Sequence, residues 1–157
     1  MADVRMGAGL DMALICDLRL AARDATMAMS YVKVGLIPGD GGCWLLPRLI
    51  GMPRALELLS TGDAVSAERA EQLGMINSVH EPDDLMAAAY ALAHRLAAGP
   101  PILLRMIKRT AYQCQHIDFR TSLELVSSHM GVIRSTADSV EAYRAFTERR
   151  PAVFHGR

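Results

Sequence analysis

Residues 7–16 read Gly7-Ala8-Gly9-Leu10-Asp11-Met12-Ala13-Leu14-Ile15-Cys16, a tight glycine turn followed directly by an apolar run with one carboxylate in it. Two glycines at positions i and i+2 let the chain turn sharply. The run from Leu10 to Cys16 then predicts a short buried helix whose N-terminus lies at Gly9. A turn that enters a helix leaves free N–H groups pointing outward, and the helix dipole adds partial positive charge there. Ala8 or Gly9 N–H is therefore a candidate donor to a carbonyl oxygen that becomes negative during a reaction, or simply part of a turn. A dinucleotide-binding GxGxxG motif does not fit. The third glycine position holds Met12, no convincing strand precedes the turn, and no acidic ribose partner follows at the expected distance. Asp11 has two readings. A carboxylate among apolar neighbours is costly unless it is paired or used in acid/base chemistry, and a first-turn Asp is also favoured by the helix dipole. Asp17, after Cys16, reads as a residue that ends the helix.

Working outward, 18–21 and 26–29 predict two short strands with a turn at Arg23-Asp24. Gly35 to Gly42 (GLIPGDGG) is a loop by composition and should open a helix near Gly41 or Gly42. Pro47 in that helix is tolerated if it falls in the first turn and kinks the helix if it lies deeper. Asp40 is either a cap of this helix or a second acid lining a cleft, and Gly39, Gly41 and Gly42 allow close backbone approach. Tyr31 reads as a packing residue or as a hydroxyl donor to a substrate oxygen. Pro53 starts a helix over 54–60, Ser66 caps another that stops at Gly74, and 75–80 predicts a strand. Beyond Asp83 nearly everything predicts helix: 85–98, 102–115, 119–133 and 137–147. The basic face of Lys108 with Arg105 and Arg109 is a solvated surface or a contact for a phosphate-bearing ligand.

Composition limits the partners. The chain has 157 residues, 51% of them hydrophobic, with 17 Lys+Arg against 17 Asp+Glu. A net charge of zero argues against nucleic acid or an anionic membrane surface, both of which need a basic surplus. No apolar run approaches the roughly 18 residues of a membrane span. Cys16, Cys43 and Cys114 have no CxxC spacing, and the five histidines show no HxxxH pattern, so no metal site is expected. The opening Met1 to Met6 has no basic stretch leading into an apolar one, so a cytoplasmic protein without a secretory leader is expected.

Taken together, GAGLDMALICDLRLAA, VKVGLIPGDGG, LLPRLIGMPRALELLSTGD, SAERAEQLGMINSVH, the late Lys108 and the closing segments from Asp138 to Arg157 resemble the crotonase superfamily, the enoyl-CoA hydratase and isomerase family, in order and through nearly the whole chain. The resemblance implies an α/β crotonase-like fold. Residues 1–80 would form part of a spiral of ββα turns, and residues 81–157 a helical region that builds homotrimers or hexamers. It implies an acyl-CoA thioester substrate and no separate cofactor, coenzyme A being part of the substrate. One oxyanion donor then falls on Ala8 and the first acid/base carboxylate on Asp11, where hydratases usually carry Glu and some isomerases Asp. The second hydratase carboxylate falls on Tyr31. Gly39 falls where the family loop holds a water or the second acid of some isomerases, with Asp40 one position later, and Lys108 is the expected contact to the coenzyme. With Asp11 alone, moving a proton between C2 and C4 is easier than steering water. The family's N-terminal half, which supplies the other oxyanion donor, is expected to be missing. Loss of one such donor costs on the order of 2.7–4 kcal/mol in the transition state. The expected activity is enoyl-CoA hydration or double-bond isomerisation, and the expected alternative a catalytically impaired oligomerising module of the same fold.

Overall fold

The computed structural model describes residues 5–157; residues 1–4, on which the reading of the opening segment rests, lie outside the described residues. The chain divides into two compact units, one up to Tyr90 and one from Ala91 to Arg157.

The first unit mixes very short strands with helices. β1 (Arg5–Met6) runs parallel to β3 (Thr26–Ala28), with Arg5 opposite Met27, and β3 pairs antiparallel with β4 (Ala64–Ser66). A second sheet joins β2 (Leu20–Ala22) to β5 (Ser78–His80) in parallel register, Leu20 opposite Ser78. The two strands expected after Cys16 form on either side of a turn, and they belong to different sheets. Two expectations are corrected here. A strand, β1, does precede the glycine turn. The strand expected over 75–80 forms only at 78–80: Met75 and Ile76 are buried in the core, and Asn77 is taken up by Arg19. Arg19 is itself buried, with Nε donating to Met75 O at 2.5 Å and a further bond from its guanidinium to Cys16 O. These bonds offset the cost of removing a guanidinium from water.

Helix α1 (Ala8–Ile15) follows the turn, but it is buried on one side only. Leu10, Asp11 and Leu14 face the core, whereas Met12 and Ile15 are 68% and 59% exposed. The run is apolar all round, so its hydropathy does not reveal which side is covered. Helix α2 (Gly42–Ile50) buries Gly42, Leu46 and Ile50, one residue per turn along a single stripe. Pro47 is its sixth residue, deeper than the first turn; the helix continues for three more residues and stops at Gly51. α3 (Met52–Thr61) carries Pro53 in its first turn and buries Ala55. α4 (Ala67–Leu73) has Ser66 as its cap, accepting from Arg69 N–H, and ends on left-handed Gly74. Its buried positions are Ala67, Ala70 and Leu73. The core gathers Leu10, Leu14, Met27, Met29, Leu46 and Met75 around alanines, and the small side chains let helices and strands approach closely.

α5 (Leu85–Ala97) contains the division between the units. The second unit continues with α6 (Pro101–Cys114), α7 (Phe119–Arg134) and α8 (Ala137–Glu148), the last two capped by Asp118 and Thr136. α6 and α7 bury none of their residues in the single chain. The tail folds back on α8. Asp138 is buried and accepts from His155 N–H and Gly156 N–H, both at 2.8 Å. Arg150 grips Glu141 with two nitrogens, at 2.5 and 2.9 Å, and Val153 N–H adds a third bond to that carboxylate. Among the described residues, no helix is long and apolar enough to cross a membrane.

The Arg150 hydrogen bonds, helped by Val153 N–H, hold the Glu141 carboxyl down to about 2. A carboxyl depressed on folding contributes stability that is complete above its unfolded value, roughly 4.3, and lost as pH falls through the folded value. Amide protection of Val153 in hydrogen exchange is therefore expected to weaken as pH falls from about 4.3 towards 2. Glu141→Gln should reproduce that weakening at neutral pH; equal protection in the two proteins would contradict the assignment.

Candidate active site

Gly7 sits at φ 54°, a backbone conformation that side-chain-bearing residues rarely adopt, and its N–H donates to Ala28 O at 3.0 Å. That bond anchors the turn to β3. Leu10 N–H and Asp11 N–H both donate back to Gly7 O, at 2.9 and 3.1 Å. Ala8 and Gly9 are left as the N–H groups with no acceptor inside the helix. Ala8 is exposed, and a side chain on Gly9 would meet nothing within 4 Å, so the front of the turn is open.

Asp11, the fourth residue of α1, is 0% exposed. Its Oδ2 accepts from the Tyr31 hydroxyl at 2.7 Å, while Oδ1 is buried without a hydrogen-bond partner. Leaving a buried acceptor bare costs about 1–3 kcal/mol, and more if it is charged. Such a group marks a place where packing has been compromised for another purpose. Asp11 sits in the first turn, as the dipole reading expects, but its side chain makes no capping bond.

Tyr31 is set by a short 3-10 helix, Ser30–Val34, which closes at left-handed Gly35. Leu36 N–H returns to Tyr31 O, and a Cβ added at Gly7 would meet the Tyr31 ring at 3.7 Å. Burial and the bond to Asp11 push the phenol well above its usual range, so it stays protonated and acts as a donor. The same hydroxyl lies 3.2 Å from Oδ2 of Asp40. Asp40 is exposed and does not cap α2: the cap position is Gly41, with no side-chain bond. Gly39 is exposed beside it.

Asp11, Tyr31 and Asp40 are thus brought together, with Ala8 one turn before Asp11 on the same helix and Gly39 next to Asp40. Lys108 belongs to the second unit, on α6, where its Nζ lies 5.9 Å from the Tyr112 ring centre. Among the described residues no three His, Cys, Asp or Glu side chains cluster as a metal centre would need. Sequence reasoning marked Gly42 as a place for close approach but not its fit against Asp11. A Cβ there would lie 2.3 Å from Oδ1 of Asp11 and 3.0 Å from Pro38. The doubled glycine at the start of a helix was the available signal.

A glycine turn that aims free amides outward, a buried carboxylate on the helix it opens, and paired short strands feeding helices define an α/β chain of the crotonase fold. The chain belongs to the enoyl-CoA hydratase/isomerase family, whose pattern matches residues 3–157. It is 38% identical over 154 residues to the 1,2-epoxyphenylacetyl-CoA isomerase of Escherichia coli, covering 98% of this chain and 59% of that protein. It is 33% identical over 145 residues to the short-chain-enoyl-CoA hydratase of Clostridium acetobutylicum, covering 92% and 56%. Its structure superposes on a crystal structure of enoyl-CoA hydratase from Bacillus anthracis with a TM-score of 0.95 at 32% identity, covering 98% of this chain and 60% of that one. The chain therefore spans under three fifths of the length of these two curated relatives.

Gly42→Ala is expected to displace the Asp11 carboxylate or the start of α2. The cost should be typical of an overpacked core, about 1–3 kcal/mol in urea unfolding. A variant as stable as the parent would show that the space beside Oδ1 is not tight.

Proposed function

We propose that this chain carries the acid/base part of an acyl-CoA site, acting on the double bond of an enoyl-CoA thioester. The observation that supports the reading is the bare, buried Oδ1 of Asp11 one turn from the open amides of Ala8 and Gly9. In this reading Ala8 N–H holds the thioester oxygen as it gains negative charge, and Asp11 moves a proton at the carbon skeleton. No cofactor is required, since coenzyme A arrives with the substrate.

Hydration and isomerisation divide on the second group. Hydration needs one group to steer water and another to move a proton. The side chain beside Asp11 is a tyrosine held protonated, and the second carboxylate, Asp40, reaches Asp11 only through it. This favours isomerisation between 3-enoyl and 2-enoyl thioesters, with hydration as the second reading. The names of the relatives include a short-chain-enoyl-CoA hydratase and an isomerase of 1,2-epoxyphenylacetyl-CoA.

Assembly into a cytoplasmic homotrimer or hexamer is part of the proposal. A groove of about 240 Å³ between α6 and α7, lined by Met106, Val126, Met130 and Ile133, and exposed Tyr143 and Phe146 on α8 leave apolar surface for another subunit.

The test is a spectrophotometric assay with crotonyl-CoA and a 3-enoyl-CoA. Asp11→Asn is expected to lower turnover by roughly 10²–10⁴-fold while acyl-CoA still binds. An unchanged rate would remove Asp11 from the chemistry. No activity of the parent with either substrate, alongside a stable trimer by light scattering, would favour a non-catalytic module.

A further inference from the structure

We propose that Tyr31 and Asp40 form a relay that carries protons between buried Asp11 and solvent. The inference rests on the reading of Asp11 as the acid/base group.

Asp11 has no exposed surface, and the only hydrogen bond to its side chain among the described residues comes from Tyr31. A proton on this carboxyl therefore leaves either to the substrate or through the phenol. Tyr31 stands between a fully buried carboxylate at 2.7 Å and an exposed one at 3.2 Å. It has one hydroxyl proton and two carboxylate acceptors, so it bonds strongly to only one of them at a time. When Asp11 is ionised, the shorter distance shows which acceptor is favoured. When Asp11 is neutral it becomes a donor, and the hydroxyl is freed to turn to Asp40.

The proton balance is as follows. Asp11 removes a proton from the substrate carbon; the C–H bond breaks, its electron pair enters the enolate, and an O–H bond forms on the carboxyl. The two carboxyl oxygens exchange places by a half-turn about χ2, so either can come to face Tyr31. Asp11 then passes this proton to Oη of Tyr31 while the hydroxyl's own proton moves to Oδ2 of Asp40. Asp40 releases it to water; run in reverse, the same relay brings a solvent proton through Tyr31 to Asp11, which delivers it to the far carbon of the dienolate. Tyrosine ends with the same number of protons as it began, and it passes through no phenolate. Tyr31 touches Asp11 and not the reacting carbon, so it is a positioning residue. Its backbone is fixed by the 3-10 helix and its hydroxyl by the bond to Asp11.

The relay makes a claim that a purely structural role does not. Isomerisation run in D2O should deliver solvent deuterium to the product, because a proton lifted by Asp11 can exchange before it is returned. Mass spectrometry of the product from a 3-enoyl-CoA should show less deuterium per turnover in both Tyr31→Phe and Asp40→Asn than in the parent. Equal labelling in all three overturns the relay. Asp40 is exposed, so Asp40→Asn tests it even if Tyr31→Phe does not fold. A second readout needs no turnover. With tyrosine isotope-labelled at Cζ, the hydroxyl exchange of Tyr31 is followed by NMR in an equal mixture of H2O and D2O. Exchange should slow in Asp40→Asn, and an unchanged rate overturns the relay. Failure of the parent to convert any enoyl-CoA would instead count against the proposed function, while the NMR comparison still decides the relay.

Discussion

Everything distinctive in the first unit depends on keeping one carboxylate out of water. Asp11 is surrounded by the turn at Gly7, the tyrosine of the 3-10 helix and the first residue of α2. Each neighbour is constrained by that arrangement. Gly7 must take a left-handed backbone to open the helix, and Gly42 must lack a side chain because Oδ1 occupies the space a Cβ would need. Tyr31 must stay protonated, because only a donor can face Oδ2. Three local choices far apart in sequence thus serve one buried group.

A comparison within the same chain clarifies what this means. Asp138 is as deeply buried as Asp11, but both of its oxygens accept backbone N–H groups from the tail. Neither oxygen of that carboxylate is left without a partner. Asp11 has one oxygen tied to a movable hydroxyl and one tied to nothing. The same residue type, at the same burial, has both oxygens bonded to backbone in one place and one oxygen left bare in the other. Counting hydrogen bonds distinguishes the two carboxylates where burial alone does not.

The helices were legible because their signals are local. Ser66 followed by an acidic first turn, Gly74 after the last buried residue, and Pro53 at a helix start each act within one turn of the chain. The strands were less so. Three-residue strands such as Ala64–Ser66 carry too few side chains to show alternation, and their partners lie dozens of residues away. Pro47 was judged by its position relative to a helix start that composition located well enough, yet the residue fell deeper than the first turn. In the site, Asp11 stood out as a carboxylate in an apolar run, and its burial follows from that setting. The bond from Tyr31 to Asp11 crosses 20 residues and had no sequence pattern of its own, while the doubled glycine marked Gly42 without revealing which atom fills the space beside it.

The parallel pairing of Leu20–Ala22 with Ser78–His80 bears on how the chain is made. Arg19 is bound at the same place, through Met75 O and the side chain of Asn77, 58 residues further on. None of these bonds can form until the intervening helices have been synthesised and brought round, and closing so long a loop is an entropic cost met before any contact rewards it. During synthesis, then, Arg19 can reach only its local acceptor, Cys16 O, and the edge of β2 stays open until Ser78–His80 arrives. Closure of that small sheet is a non-local step.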